Sequence, residues 1–114
     1  MDVLFLDDCE IRCKKFRSRC PSATIVNTAD ECIEKLKGRF WDECHLDHDL
    51  GGETYQDSRE SNTGMAVVRW IVLNRPDVLT FIVHTYNDVA GPIMVEALEQ
   101  AGYRVVRAPF RARD

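Results

Sequence analysis

Five short apolar runs recur along the chain: VLFLD at 3–7, TIVN at 24–27, ECHLD at 43–47, LTFIVH at 79–84 and RVVR at 104–107. Each interval between them carries a helical pattern. Short apolar runs of this kind suit strands buried on both faces, and strict βα alternation demands a parallel sheet with helices packed against it. The first helix spans 10–19 and stops before Pro21. Thr28-Ala-Asp-Glu31 has the form of a capping box, and it opens a second helix with Ala29, Cys32, Ile33, Leu36 and Phe40 on one apolar face and Gly38 at its end. A third helix, 64–74, is closed by Asn74 and Pro76. Pro92 fits the first turn of a fourth, with Gly102 as its C-cap. Only four residues follow Phe110, so a fifth helix is missing.

The fold class expected is therefore α/β: a flavodoxin-like, receiver-like three-layer α/β/α sandwich on a five-stranded parallel sheet of order 2-1-3-4-5. The 114 residues, 45% of them hydrophobic, suffice for one compact domain over 1–114 and not for two. A formal net charge of −4 argues against bulk DNA binding and against anionic membranes, while leaving room for a small phosphorylated ligand. The apolar stretches are far shorter than a membrane span, and the chain enters its first strand without a signal-peptide pattern. Cys9, Cys13, Cys20, Cys32 and Cys44 form no CxxC and are odd in number. They read as small buried hydrophobes in a reducing compartment, which points to the cytoplasm. A monomer and a homodimer are both compatible with the size.

In doubly wound sheets ligands bind beyond the carboxyl ends of the strands, where strand order reverses. The first and third runs end there in Asp7-Asp8 and Asp47-His48-Asp49, and the fourth ends in His84-Thr85. Asp7, Asp8 and Asp47 make a set of hard oxygen ligands that suits Mg²⁺ or Mn²⁺, since clustered carboxylates need a cation or a proton. His48 and His84 are candidates for general base and general acid, with Asp49 orienting one imidazole. Thr85, Asn87 and Arg12 are candidate contacts to a phosphate. His45, inside the third strand, reads as a satisfied core residue, and Trp41 and Trp70 as core. The polar stretch 51–63 is long for a loop of such a domain and reads as a binding loop or lid.

The segments LFLDD, WDECHLDHDLGGE, GMAVVRWI, FIVHTYN and AGYRVVRAPF, taken in order, resemble the cyclic-phosphate-processing receiver-like family, with LDHDLGG and VHT the most specific. The resemblance covers nearly the whole chain. It implies a response-regulator receiver fold turned toward cyclic phosphates in RNA-repair and nucleotide-signal settings, antiviral ones included. On that pattern Asp7 and Asp8 look like the acidic metal pair, Asp47 like the carboxylate that receivers phosphorylate, and Thr85 like the hydroxyl residue ending the fourth strand. Ala108, where receivers place a lysine before the proline, departs from the pattern, and Arg107 is the nearest cation.

The function expected is a phosphoesterase that opens a cyclic phosphate of a nucleotide, an ADP-ribose derivative or an RNA terminus, with a metal-free variant in which two histidines act alone. The alternative is a non-enzymatic receiver or pseudo-receiver that signals or binds. A haloacid-dehalogenase-type phosphatase is suggested by Asp47-His48-Asp49, but in that class the DxD strand comes first.

Overall fold

The computed structural model describes residues 1–52 and 55–110. Strands β1 (Val3–Leu6), β2 (Thr24–Val26), β3 (Trp41–Leu46), β4 (Val78–Val83) and β5 (Arg104–Arg107) alternate with helices α1 (Glu10–Arg19), α2 (Ala29–Leu36), α3 (Gly64–Asn74) and α4 (Ala90–Gln100). The sheet has the order β2-β1-β3-β4-β5, and every pairing is parallel. This is the flavodoxin-like arrangement that the alternation demands. Residues 111–114, where any further helix would begin, lie outside the described residues.

Two cores sandwich the sheet. On one side Leu4, Leu6, Cys44, Leu46, Phe81 and Val83 face α2, α3 and α4 through Cys32, Leu36, Val67, Ile71, Met94 and Leu98. On the other, Val3 and Phe5 meet Phe16 of α1, with Ala23 and Phe110. Phe5 and Phe16 stack at 4.1 Å. Burying a side chain of this size contributes roughly 1.5–3 kcal/mol, so strand residues alternate between two apolar destinations.

Local signals are met closely. Thr28 Oγ1 accepts from Glu31 N at 3.2 Å, and Glu31 Oε1 accepts from Asn27 N at 3.2 Å, so the capping box closes one residue early. Asn62 adds a second cap, its Oδ1 accepting from Ala29 N. Helix α2 stops at Leu36, which removes Phe40 from its apolar face and leaves it 41% exposed. The cysteines divide. Cys32 and Cys44 are buried, but Cys9, Cys13 and Cys20 are only half-buried, because α1 covers its side of the sheet alone among the described helices. His45 is largely buried and bonds Glu43 at 2.9 Å, with Phe16 edge-on at 4.8 Å. Trp41 is buried and Trp70 partly so. Among the described residues no helix is long and apolar enough to cross a membrane.

The chain leaves β3, makes its long excursion and returns to its starting point. Asp49 bridges to Thr63, and Gly64 N donates to His48 O at 2.9 Å. Thr63 then caps α3 through Ala66 N. Glu53 and Thr54 lie outside the described residues, so the expectation of a lid is only partly open to view. At Gly64 a Cβ would stand 1.9 Å from the Asp47 carbonyl oxygen and 2.8 Å from Met94 Cε. Alanine normally stabilises a helix by about 1 kcal/mol over glycine. Here we expect Gly64→Ala to lower unfolding free energy by about 3 kcal/mol, the upper range for overpacking. Urea denaturation reads the sign, and a gain in stability would show that the contact relaxes freely.

Candidate active site

Register places the site. Leu6 pairs with Leu46, and Leu46 with Val83, so the next residues, Asp7, Asp47 and His84, stand in one row. Asp47 N donates to Leu6 O at 3.1 Å and His84 N to Leu46 O at 3.0 Å, which extends the ladder one step past the strands. Side chains alternate along a strand. These three therefore share the α1 side with Phe5, while His48, one residue on, goes to the opposite side.

Asp7 is fully buried, and four nitrogen atoms from three groups converge on it. Arg12 Nε bonds Oδ2 at 2.7 Å and Arg12 Nη2 bonds Oδ1 at 3.0 Å. Cys9 N donates to Oδ1 at 2.9 Å, and His84 Nε2 lies 2.9 Å from Oδ2. Burial alone would raise its pKa, but the bonds from His84 and Arg12 outweigh that and hold it at about 2. Asp47 is the opposite case. Its Oδ1 accepts from the adjacent His48 N, its Oδ2 is buried without a hydrogen-bond partner with Arg12 Nη2 3.6 Å away, and the neighbouring Thr85 side chain favours the charged form. Burial first, and then the Asp7 charge, push its pKa up to about 8. The His84 ring stacks on Phe5 at 4.8 Å and 7°, and its Nδ1 has no partner. Burial lowers its pKa more than the bond to Asp7 raises it, so the neutral imidazole is the favoured form.

The other candidates separate from this row. Asp8 Oδ2 accepts from Gly52 N at 2.6 Å, which ties β1 to the long loop. His48 is fully buried, held by Asp49 Oδ1 at 2.9 Å and Ser58 Oγ at 3.1 Å. Asp49 Oδ1 also accepts from Gln56 N and Asn87 Nδ2. Burial would raise the Asp49 pKa, but these bonds, His48 first, bring it below its usual value. Asn87 is buried and structural, its Oδ1 accepting from Val89 N and Ala90 N at the start of α4. Thr85 Oγ1 accepts from Asn87 N. Arg107 turns away from the row, its Nη2 donating to Thr85 O and Asn87 O.

A cavity of about 360 Å³ opens over the row, and Arg12, Asp47, Asp49, His84, Thr85 and Tyr86 are among its lining residues. Asp8 and Cys9 also line it, whereas His48 and Asn87 do not. Nothing in the sequence marks Cys9, Gly52 and Tyr86, which also line the cavity, and Phe5 is an unexpected platform for His84. Phe5 was open to inference, lying two residues before Asp7 and so on the same face. Asp7, Asp47 and His84 offer ligand atoms within 4.8 Å of one another, and the orphaned Asp47 Oδ2 is an oxygen such an ion would satisfy. These residues fit a divalent cation, with His84 in the position expected of Asp8.

A family model described as the cyclic-phosphate processing receiver domain matches residues 3–100. No curated protein matches the chain. Among solved structures, a signal receiver domain from Vibrio parahaemolyticus is 21% identical with a TM-score of 0.62, covering 98% of this chain and 81% of that one. A CheY-like receiver domain from Methylobacillus flagellatus is 12% identical with a TM-score of 0.60, covering 99% and 90%. A Burkholderia pseudomallei response regulator, solved with a phosphorylated aspartic acid, a calcium ion and citrate, is 14% identical with a TM-score of 0.56 over 98% and 62%. At these identities the likeness is one of fold.

The two acids have opposite pH signatures. Because the folded-state pKa of Asp47 is about 8 against 3.8, the folded protein keeps a proton that the unfolded chain releases, and its contribution is lost as pH rises from about 4 through 8. Asp7, held near 2, contributes above pH 3.8 and loses that contribution below it. Asp47→Asn should therefore match wild type near pH 4 and exceed it by up to about 5 kcal/mol near pH 8. Urea midpoints in EDTA test this, and a pH-independent difference would refute it.

Proposed function

Since the chain belongs to the cyclic-phosphate processing receiver domain family, we propose that it is a phosphoesterase that opens the cyclic phosphate of a small nucleotide-like ligand: a nucleotide, an ADP-ribose derivative or an RNA terminus. The observation that carries this reading is the row of Asp7, Asp47 and His84 under the cavity. Its two carboxylates are driven to opposite protonation states beside a neutral imidazole. Divergent pairs of this kind divide acid from base work.

Opening a cyclic phosphodiester needs a proton removed from the attacking water, a proton given to the departing sugar oxygen, and charge held on the phosphoryl oxygens. His84 is the base: Asp7 takes one ring nitrogen, and the buried, unpartnered Nδ1 carries the free lone pair, which the attacking water reaches by entering the row. Asp47 is the acid, carrying a proton at neutral pH. Arg12 supplies positive charge at the cavity wall, and the Thr85 hydroxyl donates to the phosphate. His48 acts from behind, fixing Asp49 and, through Ser58, the long loop. Mg²⁺ or Mn²⁺, when bound, would be held by Asp7 and by Asp47 without its proton and would polarise the phosphoryl group, so the acid role of Asp47 belongs to the metal-free protein.

The fold favours a second reading, a signalling receiver phosphorylated on Asp47, since the solved structures it resembles include response-regulator receivers. Arg107 is turned from the cavity, which leaves Arg12 as the cation among the lining residues and weighs against this reading.

Phosphorus NMR on a panel of cyclic phosphates, run with Mg²⁺, with Mn²⁺ and with EDTA, tests the proposal. One member should open, and His84→Gln and Asp47→Asn should each lower the rate by about 10²–10⁴. His48→Gln should act more mildly, near tenfold. If no member opens while acetyl phosphate adds one phosphoryl group to Asp47 by mass spectrometry, the receiver reading replaces this one.

A further inference from the structure

The acid cluster at the ends of β1, β3 and β4 already holds a cation from the chain itself. Arg12 lies in the first turn of α1, five residues after Asp7. Its guanidinium bonds both Asp7 oxygens at 2.7 and 3.0 Å and comes within 3.6 Å of Asp47 Oδ2. Cys9 N and His84 complete the Asp7 shell. Asp8, the adjacent acid, is turned out to Gly52 N. A divalent ion entering this cluster would need the same Asp7 lone pairs that the guanidinium occupies. Two cations in one small, partly desolvated space also repel strongly.

We propose that Arg12 and a divalent metal ion are alternative occupants of one site, so that metal enters only as the guanidinium leaves the carboxylates. Arg12 has somewhere to go. Its side chain is 28% exposed and lines the cavity over the row, where it would face the phosphate of a bound ligand. The inference rests on the metal reading given above but not on hydrolysis. It makes the apparent metal affinity the intrinsic affinity reduced by the fraction of molecules with Arg12 already out. Removing the arginine removes that reduction, and linkage makes the antagonism reciprocal.

The test compares wild type, Arg12→Gln and Arg12→Lys, all checked for native circular dichroism. Mn²⁺ binding is read by the electron paramagnetic resonance of the free ion. Arg12→Gln should bind Mn²⁺ at least about tenfold more tightly than wild type. Arg12→Lys, which keeps the charge, should stay within about threefold of wild type. In isotope-labelled wild type, saturating Mg²⁺ should move the Arg12 Nε–H resonance to the position of a solvated arginine. Equal affinities in wild type and Arg12→Gln would overturn the proposal, as would an unmoved Nε–H signal at saturation. Equal tightening by glutamine and lysine would also overturn it, since loosened packing rather than charge would then be the cause. No metal binding in any of the three would do the same. A chain that shows the competition yet opens no cyclic phosphate would keep this inference and lose the phosphoesterase reading.

Discussion

A carboxylate with no exposed surface sits at the end of a central strand, and much of the molecule is arranged to make that tolerable. Burying an ionised acid without partners is prohibitive, and the usual escape is protonation. Asp7 escapes by collecting partners instead: a guanidinium, an imidazole and a backbone amide. Each comes from a different piece of fold. Arg12 fixes the start of α1, His84 the end of β4, and Cys9 N the turn between strand and helix. Because Asp7 takes the available donors, its neighbour Asp47 is left short of them. One acid is ionised at the expense of the other, and that asymmetry is the chemical content of the row.

Much of the architecture was legible in the chain because the signals are local. Alternating apolar runs specify strands, Thr28 and Glu31 close their box, and parallel strands in an open sheet direct chemistry to their carboxyl ends. The rim of the site followed from this. Which side of the sheet each rim residue faces did not, because Asp47-His48-Asp49 reads as one cluster along the chain. Strand alternation splits it, sending Asp47 to the α1 side and His48 beneath the long loop. Asp8 illustrates the same limit, since its partner, Gly52 N, is 44 residues away. Asn87 was legible as polar and near the site, but its work of starting α4 depends on where that helix begins. The half-buried state of Cys9, Cys13 and Cys20 depends on how little packs over α1, which a helical repeat of apolar positions does not encode.

The row and the loop beyond it are joined from below. The Asp47 carbonyl lies where Gly64 has no side chain, so α3 begins directly against the site. His48, Asp49, Ser58, Gln56 and Asn87 bond one another across the floor of the loop. The polar residues here are satisfied by their own neighbours, which is what allows a long excursion to hold position beside a cavity.

The edges of the sheet bear on how the protein behaves in company. β5 ends the sheet on one side, and its outer row of backbone amides and carbonyls is a template for a strand from another molecule. Val105 and Val106 would make that pairing attractive, but the exposed Arg104 stands at the start of the strand, and its charge would resist it. β2, at the other edge, is only three residues long. Both edges are thus poor seeds for cross-β growth.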